Sequence, residues 1–132
     1  MLDLAVVLVG HRKNWNSLAA LAGALEVDAR LRELALHFAR PGAPALAQVQ
    51  ELAARQALVV VGYSFMSPDL ARVAAELAEL RGMLREGALG NVRLVAGGPH
   101  ATAAWQSTLA LGFDYAVVGE GEAAFPELLC EL

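Results

Sequence analysis

The chain has 132 residues, 57% of them hydrophobic, which predicts one folded domain over residues 1–132 and excludes a disordered chain. Its net charge of −4 argues against a nucleic-acid partner, and its one cysteine, Cys130, excludes a disulfide framework or an iron–sulfur site within this chain. No apolar run approaches the roughly 18 residues of a membrane-spanning helix, and no positive charge opens the chain as in a secretory signal, so we expect a cytoplasmic protein without a membrane partner.

Five short apolar runs alternate with five stretches of helical periodicity along the chain. The runs predict strands over residues 4–9, 33–38, 57–62, 92–96 and 115–118. The other stretches predict helices over residues 15–25, 44–55, 68–86, 99–111 and 120–131. Several runs are apolar at every position, which is typical of strands covered by helices on both faces of a parallel sheet.

This alternation predicts an α/β fold in three layers, a doubly wound (βα)5 parallel sheet of the flavodoxin-like or Rossmann-like type with strand order 2-1-3-4-5. Such sheets bind ligands at the carboxyl ends of their strands, near the point where the strand order reverses. We call this side of the sheet the carboxyl edge. Five segments are expected to meet there: residues 10–14, 39–44, 62–67, 97–100 and 119–121.

The third predicted helix has the clearest boundaries. Ser67 is predicted to be its N-cap, with Pro68 at the first helical position. Gly87 is predicted to end it. In the last predicted helix, Cys130 is expected to be a packing residue.

Gly97 and Gly98 follow the fourth predicted strand, where the lack of a Cβ atom lets a ligand approach the backbone closely. They serve such an approach, a tight turn into the next helix, or both. Valine at Gly98 is therefore expected to abolish ligand uptake and leave the fold intact. His100 follows Pro99 in the first turn of the helix, either as a donor to a phosphate, amide or sugar hydroxyl or as a solvated surface residue.

Other candidate ligand contacts are spread over the remaining segments. The hydroxyls of Ser64 and Thr102 suit hydrogen bonds to a polar ligand. The basic cluster of residues 11–13 either holds an anionic ligand tail or is a solvated turn. Four apolar side chains would suit a flat macrocycle, although ordinary helix–sheet packing also explains the first of them: Trp15, Tyr63, Phe65 and Met66.

The turn after the fifth predicted strand reads Gly119-Glu120-Gly121-Glu122 and fits the Gly-x-Gly-x-x-Ala dinucleotide pattern. Two carboxylates would repel a phosphate there, and the chain has no acidic ribose ligand about 20 residues later. We therefore reject a dinucleotide site. Glu120 and Glu122 either complement the positive end of the last helix or contact another ligand.

Two motifs together carry a family resemblance. They are Gly-Gly-Pro-His-Ala-Thr over residues 97–102 and Leu-Gly-Phe-Asp-Tyr-Ala-Val-Val-Gly-Glu-Gly-Glu over residues 111–122, followed by Phe-Pro-Glu-Leu-Leu over residues 125–129. This order resembles the N-terminal cobalamin-binding domain of B12-dependent radical SAM proteins. The resemblance implies that a corrinoid lies on the carboxyl edge, with its nucleotide tail running into the domain.

Carried over residue by residue, the resemblance assigns cofactor contacts to three turns. The turn after the first strand adds Gly10 and His11, without a role as cobalt ligand. The implied cofactor-binding residues are Tyr63, Ser64 and Phe65 after strand three, Gly97, Gly98, Pro99 and His100 after strand four, and Gly119, Glu120 and Gly121 after strand five. Thr102 is a further candidate for cofactor binding because of its hydroxyl.

Two family features are missing from the sequence. The Asp-x-His-x-x-Gly motif that supplies a lower cobalt ligand in other B12 domains is absent, and so is the Cys-x-x-x-Cys-x-x-Cys motif that holds a [4Fe–4S] cluster. The chain alone is therefore not expected to cleave SAM. A radical SAM catalytic domain, in cis or in trans, would supply SAM, the cluster and the radical.

Two alternatives stay open beside a cobalamin-binding role. One is a flavodoxin-like domain that binds flavin or a nucleotide, although residues 10–14 lack the Ser/Thr-rich and Gly-rich phosphate cradle of flavin sites. The other is a protein-interaction module that has kept the fold without a ligand.

Overall fold

The computed structural model describes residues 3–10, 15–87 and 89–132 and contains a five-stranded parallel sheet. Its strands are β1 (Leu4–Val9), β2 (Ala35–Ala39), β3 (Leu58–Ser64), β4 (Val92–Gly97) and β5 (Tyr115–Ala116). Their order across the sheet is β2-β1-β3-β4-β5, which confirms the doubly wound α/β fold predicted from the sequence.

Helices cover both faces of the sheet. In the described ranges they are α1 (Trp15–Glu26), α2 (Ala43–Arg55), α3 (Leu70–Glu86), α4 (Gly98–Ala103), α5 (Trp105–Ala110) and α6 (Gly121–Glu131). Short 3₁₀ turns precede β2 at Ala29–Leu31 and α3 at Ser67–Asp69. None of these helices has the length and apolar character needed to cross a membrane.

Alternation along the strands sorts the core side chains onto two faces. On the α1/α6 face, Leu8 of β1 packs in one cluster with Leu18 of α1 and Phe125 of α6. On the α2/α3 face, Val7 of β1 packs in a second cluster with Leu77 of α3. Since helices cover both faces, every residue of β1 is buried, as the continuous apolar run predicts.

Strand β3 reaches two residues farther than the predicted range of 57–62. Tyr63 pairs with Ala96, and Ser64 pairs with Gly97, so both belong to the sheet. Their side chains therefore point to opposite faces. This extension determines which side chains at the carboxyl edge face a ligand.

The predicted helix over residues 99–111 is two short helices instead. Ala104 leaves the helical conformation, with φ −137° and ψ 51°. Its carbonyl accepts hydrogen bonds from Thr108 Oγ1 at 2.8 Å and Ser107 Oγ at 3.1 Å, both in the new helix α5. Strand β5 is also shorter than the predicted residues 115–118, since the chain turns toward α6 through Gly119, whose φ is +86°.

The start of α3 differs from the prediction as well. Ser67 is not the N-cap, because its hydroxyl lies 2.9 Å from Nδ1 of His100. The Asp69 carboxylate instead accepts a hydrogen bond from the Met66 amide at 3.4 Å, and α3 begins after a 3₁₀ turn. The predicted end at Gly87 is confirmed. Cys130 is exposed on α6, so its predicted packing role is wrong.

Candidate functional site

A cavity of about 510 Å³ opens at the carboxyl edge, between the sheet and helices α1 and α6. We call it the α1/α6 cavity. It lies where β3 and β4 end, next to the reversal of strand order that the fold predicts as a ligand site. Its lining combines residues of α1, β1, β3, β4 and α4 with the turn that leads into α6: Leu8, Ser17, Leu18, Leu21, Gly62, Tyr63, Ser64, Val95, Ala96, Gly97, Gly98, Pro99, Thr102, Ala103, Val117, Gly119, Glu120, Gly121, Glu122 and Phe125.

The deep end of this cavity is apolar. Leu8, Leu18, Val95 and Phe125 are each at most 3% exposed and belong to one core cluster. Gly62 of β3 lies among them, and a Cβ atom there would be 3.1 Å from Leu8 Cδ2 and 3.7 Å from Phe125 Cζ. The missing side chain at Gly62 therefore keeps these neighbours close together at the floor of the cavity.

The described residues at the mouth of the cavity are polar and include acidic side chains. Hydroxyls come from Ser17, Ser64 and Thr102, and carboxylates come from Glu120 and Glu122. Of the lining residues, all of them in the described part of the chain, none is lysine or arginine. This charge distribution disfavours a ligand that carries several phosphate charges.

A hydrogen bond connects two of the turns at the mouth. The amide of Gly119 donates to Oγ1 of Thr102 at 3.1 Å. Because a threonine hydroxyl is both an acceptor and a donor, the Thr102 O–H proton remains for a ligand. The bond fixes the turn before α6 against α4, so both sides of the mouth have a defined position.

The two glycines after β4 have different roles. Gly98 has φ +91°, and a Cβ atom on it would lie 2.9 Å from Ser64 Oγ and 3.1 Å from the Phe65 carbonyl oxygen. A side chain at Gly98 would therefore disturb the Ser64 side chain at the end of β3 and the Phe65 backbone that follows it. This contact contradicts the expectation that valine at Gly98 leaves the fold intact.

Gly97 and Gly121, by contrast, have room for side chains. The nearest atom to a Cβ on Gly97 is Val117 Cβ at 4.0 Å, and the nearest to one on Gly121 is Leu21 Cδ1 at 3.6 Å. Neither glycine has a positive φ. The fold therefore does not require glycine at either position.

Most of the cofactor contacts implied by the resemblance meet at this cavity. Those among its lining residues are Tyr63, Ser64, Gly97, Gly98, Pro99, Thr102, Gly119, Glu120 and Gly121. Gly10, Phe65 and His100 are not among them, and the amide of the buried Gly10 donates to the Ala39 carbonyl at 3.2 Å. The basic cluster of residues 11–13, which includes His11, lies outside the described residues.

Phe65 and His100 belong to an aromatic stack on the α2/α3 face. The Phe65 ring is 2% exposed and stacks on His100 at 5.4 Å and on Phe113 at 6.2 Å between ring centres. The Tyr63 ring meets Phe113 edge-on at 5.8 Å, so Tyr63 borders the cavity but directs its ring to the opposite face. His100 is itself buried, and its Nε2 atom has no hydrogen-bond partner among the described residues.

A buried acid lies beneath this stack. Glu76 of α3 is 5% exposed, and its Oε1 accepts a hydrogen bond of 2.5 Å from the amide of Gly42, in the turn after β2. Burial raises the pKa of the Glu76 carboxyl, although the bond from Gly42 and the charge of Arg72 act in the opposite direction. Burial and the nearby Glu76 charge raise the pKa of the Tyr63 phenol as well.

Sequence analysis did not identify Glu76 or the deep wall of the cavity. Glu76 lies three residues after Val73 and four before Leu80, on the apolar stripe of α3. This spacing indicates that its carboxylate is buried. Leu18, Val95 and Phe125 look like ordinary core residues, since nothing in their own sequence distinguishes a cavity wall from a packed core.

Comparisons with known proteins agree with this architecture. The family model for the B12 binding domain matches residues 2–129. The N-terminal domain of the hypothetical protein TM0182 of Thermotoga maritima is 32% identical, with a TM-score of 0.59 and coverage of 91% of this chain and 89% of that one. A comparison with the curated proteins gave no match.

Two pilus assembly proteins share the fold at lower identity. A putative CpaE2 of Sinorhizobium meliloti is 16% identical, with a TM-score of 0.57 and coverage of 96% of this chain and 98% of that one. CpaE of Caulobacter crescentus is 14% identical, with a TM-score of 0.53 and coverage of 96% and 95%. At these identities the likeness concerns the fold alone.

Proposed function

The chain belongs to the family of B12-binding domains, and on that premise we propose that it binds cobalamin at the carboxyl edge and presents the cofactor to a radical SAM catalytic domain. Membership of the family supports cobalamin binding in general. The radical SAM partner rests on the sequence resemblance of residues 97–102 and 111–122. That partner, in cis or in trans, would hold SAM and the [4Fe–4S] cluster, because this chain has one cysteine.

The α1/α6 cavity is the observation that carries the proposal. Its volume of about 510 Å³ lies within the roughly 300–1,000 Å³ of pockets that hold small molecules. A corrin ring with its amide side chains is too large for it, whereas the base and sugar of the nucleotide tail suit its size. The ring would then lie outside, where Trp15 and Met66 are each 44% exposed at the carboxyl edge and offer apolar surface.

The polar mouth and the glycines fit such a tail. The hydroxyls of Ser17, Ser64 and Thr102 can bind the ribose and the single phosphodiester charge. Gly97 and Gly121 would let the tail pass close to the backbone. When bound, the corrinoid supplies the cobalt chemistry, and the residues of this chain hold and orient it.

The charge of the mouth bears on the flavin or nucleotide alternative. A flavin mononucleotide or a nucleoside polyphosphate needs cationic or amide-rich surroundings for its phosphates. Among the described residues, Glu120 and Glu122 border the α1/α6 cavity, and no lysine or arginine does. The interaction-module alternative makes a different prediction, a folded protein that takes up no cofactor.

Uptake of hydroxocobalamin tests the proposal directly. The purified chain is incubated with the cofactor and desalted, and the visible spectrum of the protein fraction is recorded. We expect retained corrinoid absorbance for the wild type and for Gly90→Val, because Gly90 lies before β4 at the opposite end of the sheet, where a Cβ atom would have no neighbour within 4 Å. Gly97→Val, which fills space at the mouth, is expected to raise the dissociation constant at least tenfold, the change produced by about 1.4 kcal/mol, and so to lower the retained absorbance.

A folded wild-type chain that stays colourless would contradict cobalamin binding by this chain alone and favour the interaction module. Equal uptake by Gly97→Val and Gly90→Val would contradict the placement of the tail. The partner is tested by affinity capture with the cobalamin-loaded chain. A captured protein with the Cys-x-x-x-Cys-x-x-Cys motif is expected, and its absence from the loaded sample would contradict presentation in trans.

A further inference from the structure

We infer that the α1/α6 cavity discriminates among corrinoids by the base of their nucleotide tail and prefers a benzimidazole to a purine. This inference rests on the proposed function, because it assumes that a corrinoid tail enters the cavity. It adds a ligand class that family membership does not specify. The preference follows from the polarity of the deep end, where the base would lie.

The side chains at the deep end offer no hydrogen bond. Leu8, Leu18, Val95 and Phe125 surround Gly62 there, and all of these residues are buried and apolar. The lining residues with hydroxyl or carboxylate groups on this face are at the mouth, where they are exposed or half-buried. A base that reaches the deep end therefore leaves these side-chain partners behind.

The backbone at the deep end is occupied as well. Leu8 lies opposite Gly62 in the pairing of β1 with β3, and Gly62 lies opposite Val95 in the pairing of β3 with β4. These three strands each have a paired neighbour on both sides, so their peptide groups are used within the sheet. The floor of the cavity thus offers a base neither side-chain nor backbone partners among the described residues.

The two kinds of base differ in what they need at that floor. The outer ring of 5,6-dimethylbenzimidazole carries only carbon and hydrogen, which suits an apolar wall. Adenine carries ring nitrogens and an exocyclic amine, which would lose their hydrogen bonds to water without replacement. Polar atoms left unpaired in this way are expected to weaken binding at least tenfold.

The test compares three corrinoids in the full chain: cobalamin, its analogue with adenine as the base, and cobinamide, which has no base. Dissociation constants are measured by titration of the visible spectrum for the wild type, Val95→Thr and Val92→Thr. Val95 borders the cavity, whereas Val92 lies on the same strand and faces the α2/α3 core. Both variants bury one new hydroxyl, so Val92→Thr is the matched control for stability.

For each protein we divide the dissociation constant of the adenine analogue by that of cobalamin. The decisive comparison is this ratio in each variant against the same ratio in the wild type. The free energy of releasing the base from cobalt differs between the two ligands. It is the same in every variant, so it does not affect this comparison. We expect Val95→Thr to lower the ratio at least threefold and Val92→Thr to leave it unchanged. We also expect Val95→Thr to leave the dissociation constant of cobinamide unchanged, because cobinamide has no base to enter the cavity.

An unchanged ratio in Val95→Thr would overturn the base preference. A similar gain in the binding of cobinamide and of the adenine analogue in Val95→Thr would overturn it as well, because the new hydroxyl would then not act on the base, while corrinoid binding itself would stand. Binding of none of the three corrinoids would overturn the proposed function and the preference together.

Discussion

The two faces of the sheet use the same strand ends in opposite ways. On the α1/α6 face, Gly62, Ser64 and Gly97 line a cavity that opens between the sheet and two helices. On the α2/α3 face, the rings of Tyr63 and Phe65 pack against Phe113, and the corresponding region is filled. Small residues thus alternate with aromatic residues at the end of β3. Because successive side chains of a strand point to opposite faces, the α1/α6 face is open and the α2/α3 face is closed.

This comparison teaches that a residue's position along a binding turn does not by itself make it a ligand contact. Phe65 and Ser64 are neighbours in the sequence, yet only Ser64 borders the cavity. Phe65 fixes the closed face, against which the glycine turn after β4 is packed. The closed face supplies rigidity, and the open face supplies the site.

Removing one phenylalanine from each face should give the largest difference between them. Phe65→Ala is expected to lower the free energy of unfolding by about 3–5 kcal/mol, because its ring is packed between two others. Phe125→Ala is expected to cost about 2 kcal/mol, since Phe125 already borders open space, and to weaken cobalamin uptake as well. Urea denaturation and the uptake assay measure both effects, and equal losses of stability would contradict the distinction between the faces.

The neighbouring glycines after β4 sharpen the comparison within a single turn. Gly98→Val is expected to destabilise the fold by about 3 kcal/mol, because φ is positive and the new side chain would overlap β3. Gly97→Val should change stability by less than about 1 kcal/mol, because its space is free. Thermal and urea denaturation of the two variants check this difference, which a similar stability for both would refute.

The buried acid of the closed face predicts a smaller, pH-dependent effect. Since the folded-state pKa of Glu76 is raised, its contribution to stability is complete below the unfolded pKa and is lost as the pH rises through the folded value. Glu76→Gln removes the charge that develops at high pH. The free energy of unfolding of the variant is therefore expected to match that of the wild type at about pH 4 and to exceed it by about 1 kcal/mol at about pH 8.

Urea denaturation across this pH range measures the difference. Glu86→Gln, at the exposed end of the same helix, is the control and should follow the wild type throughout. If Glu76→Gln also follows the wild type at every pH, the carboxyl does not change its ionisation on folding.

Much of the fold was predictable from the sequence because its signals are local. The continuous apolar runs of β1 and β3 indicate strands covered on both faces, and their alternation with helical stretches indicates the parallel order. The break at Ala104 was not predictable, because alanine favours helix and no glycine or proline lies between Pro99 and Gly112 to mark it.

The site was predictable only in part. The glycine-rich turns indicate the carboxyl edge, but the cavity is a space between α1, α6 and the sheet, which no single segment encodes. The motif over residues 111–122 also combines two roles. Its Asp114 accepts a hydrogen bond of 2.7 Å from the Leu94 amide and another from Arg81, which secures the edge of the sheet, whereas Glu120 and Gly121 border the cavity.

The alternation of small and aromatic residues at the end of β3 has a consequence for insertions and deletions. Adding or deleting one residue in that strand would exchange its two faces, placing aromatic rings where the cavity lies and glycine and serine where the stack is packed. Binding and folding would then fail together. Protein engineers who wish to enlarge or fill this cavity should therefore exchange side chains in β3 and keep its length unchanged.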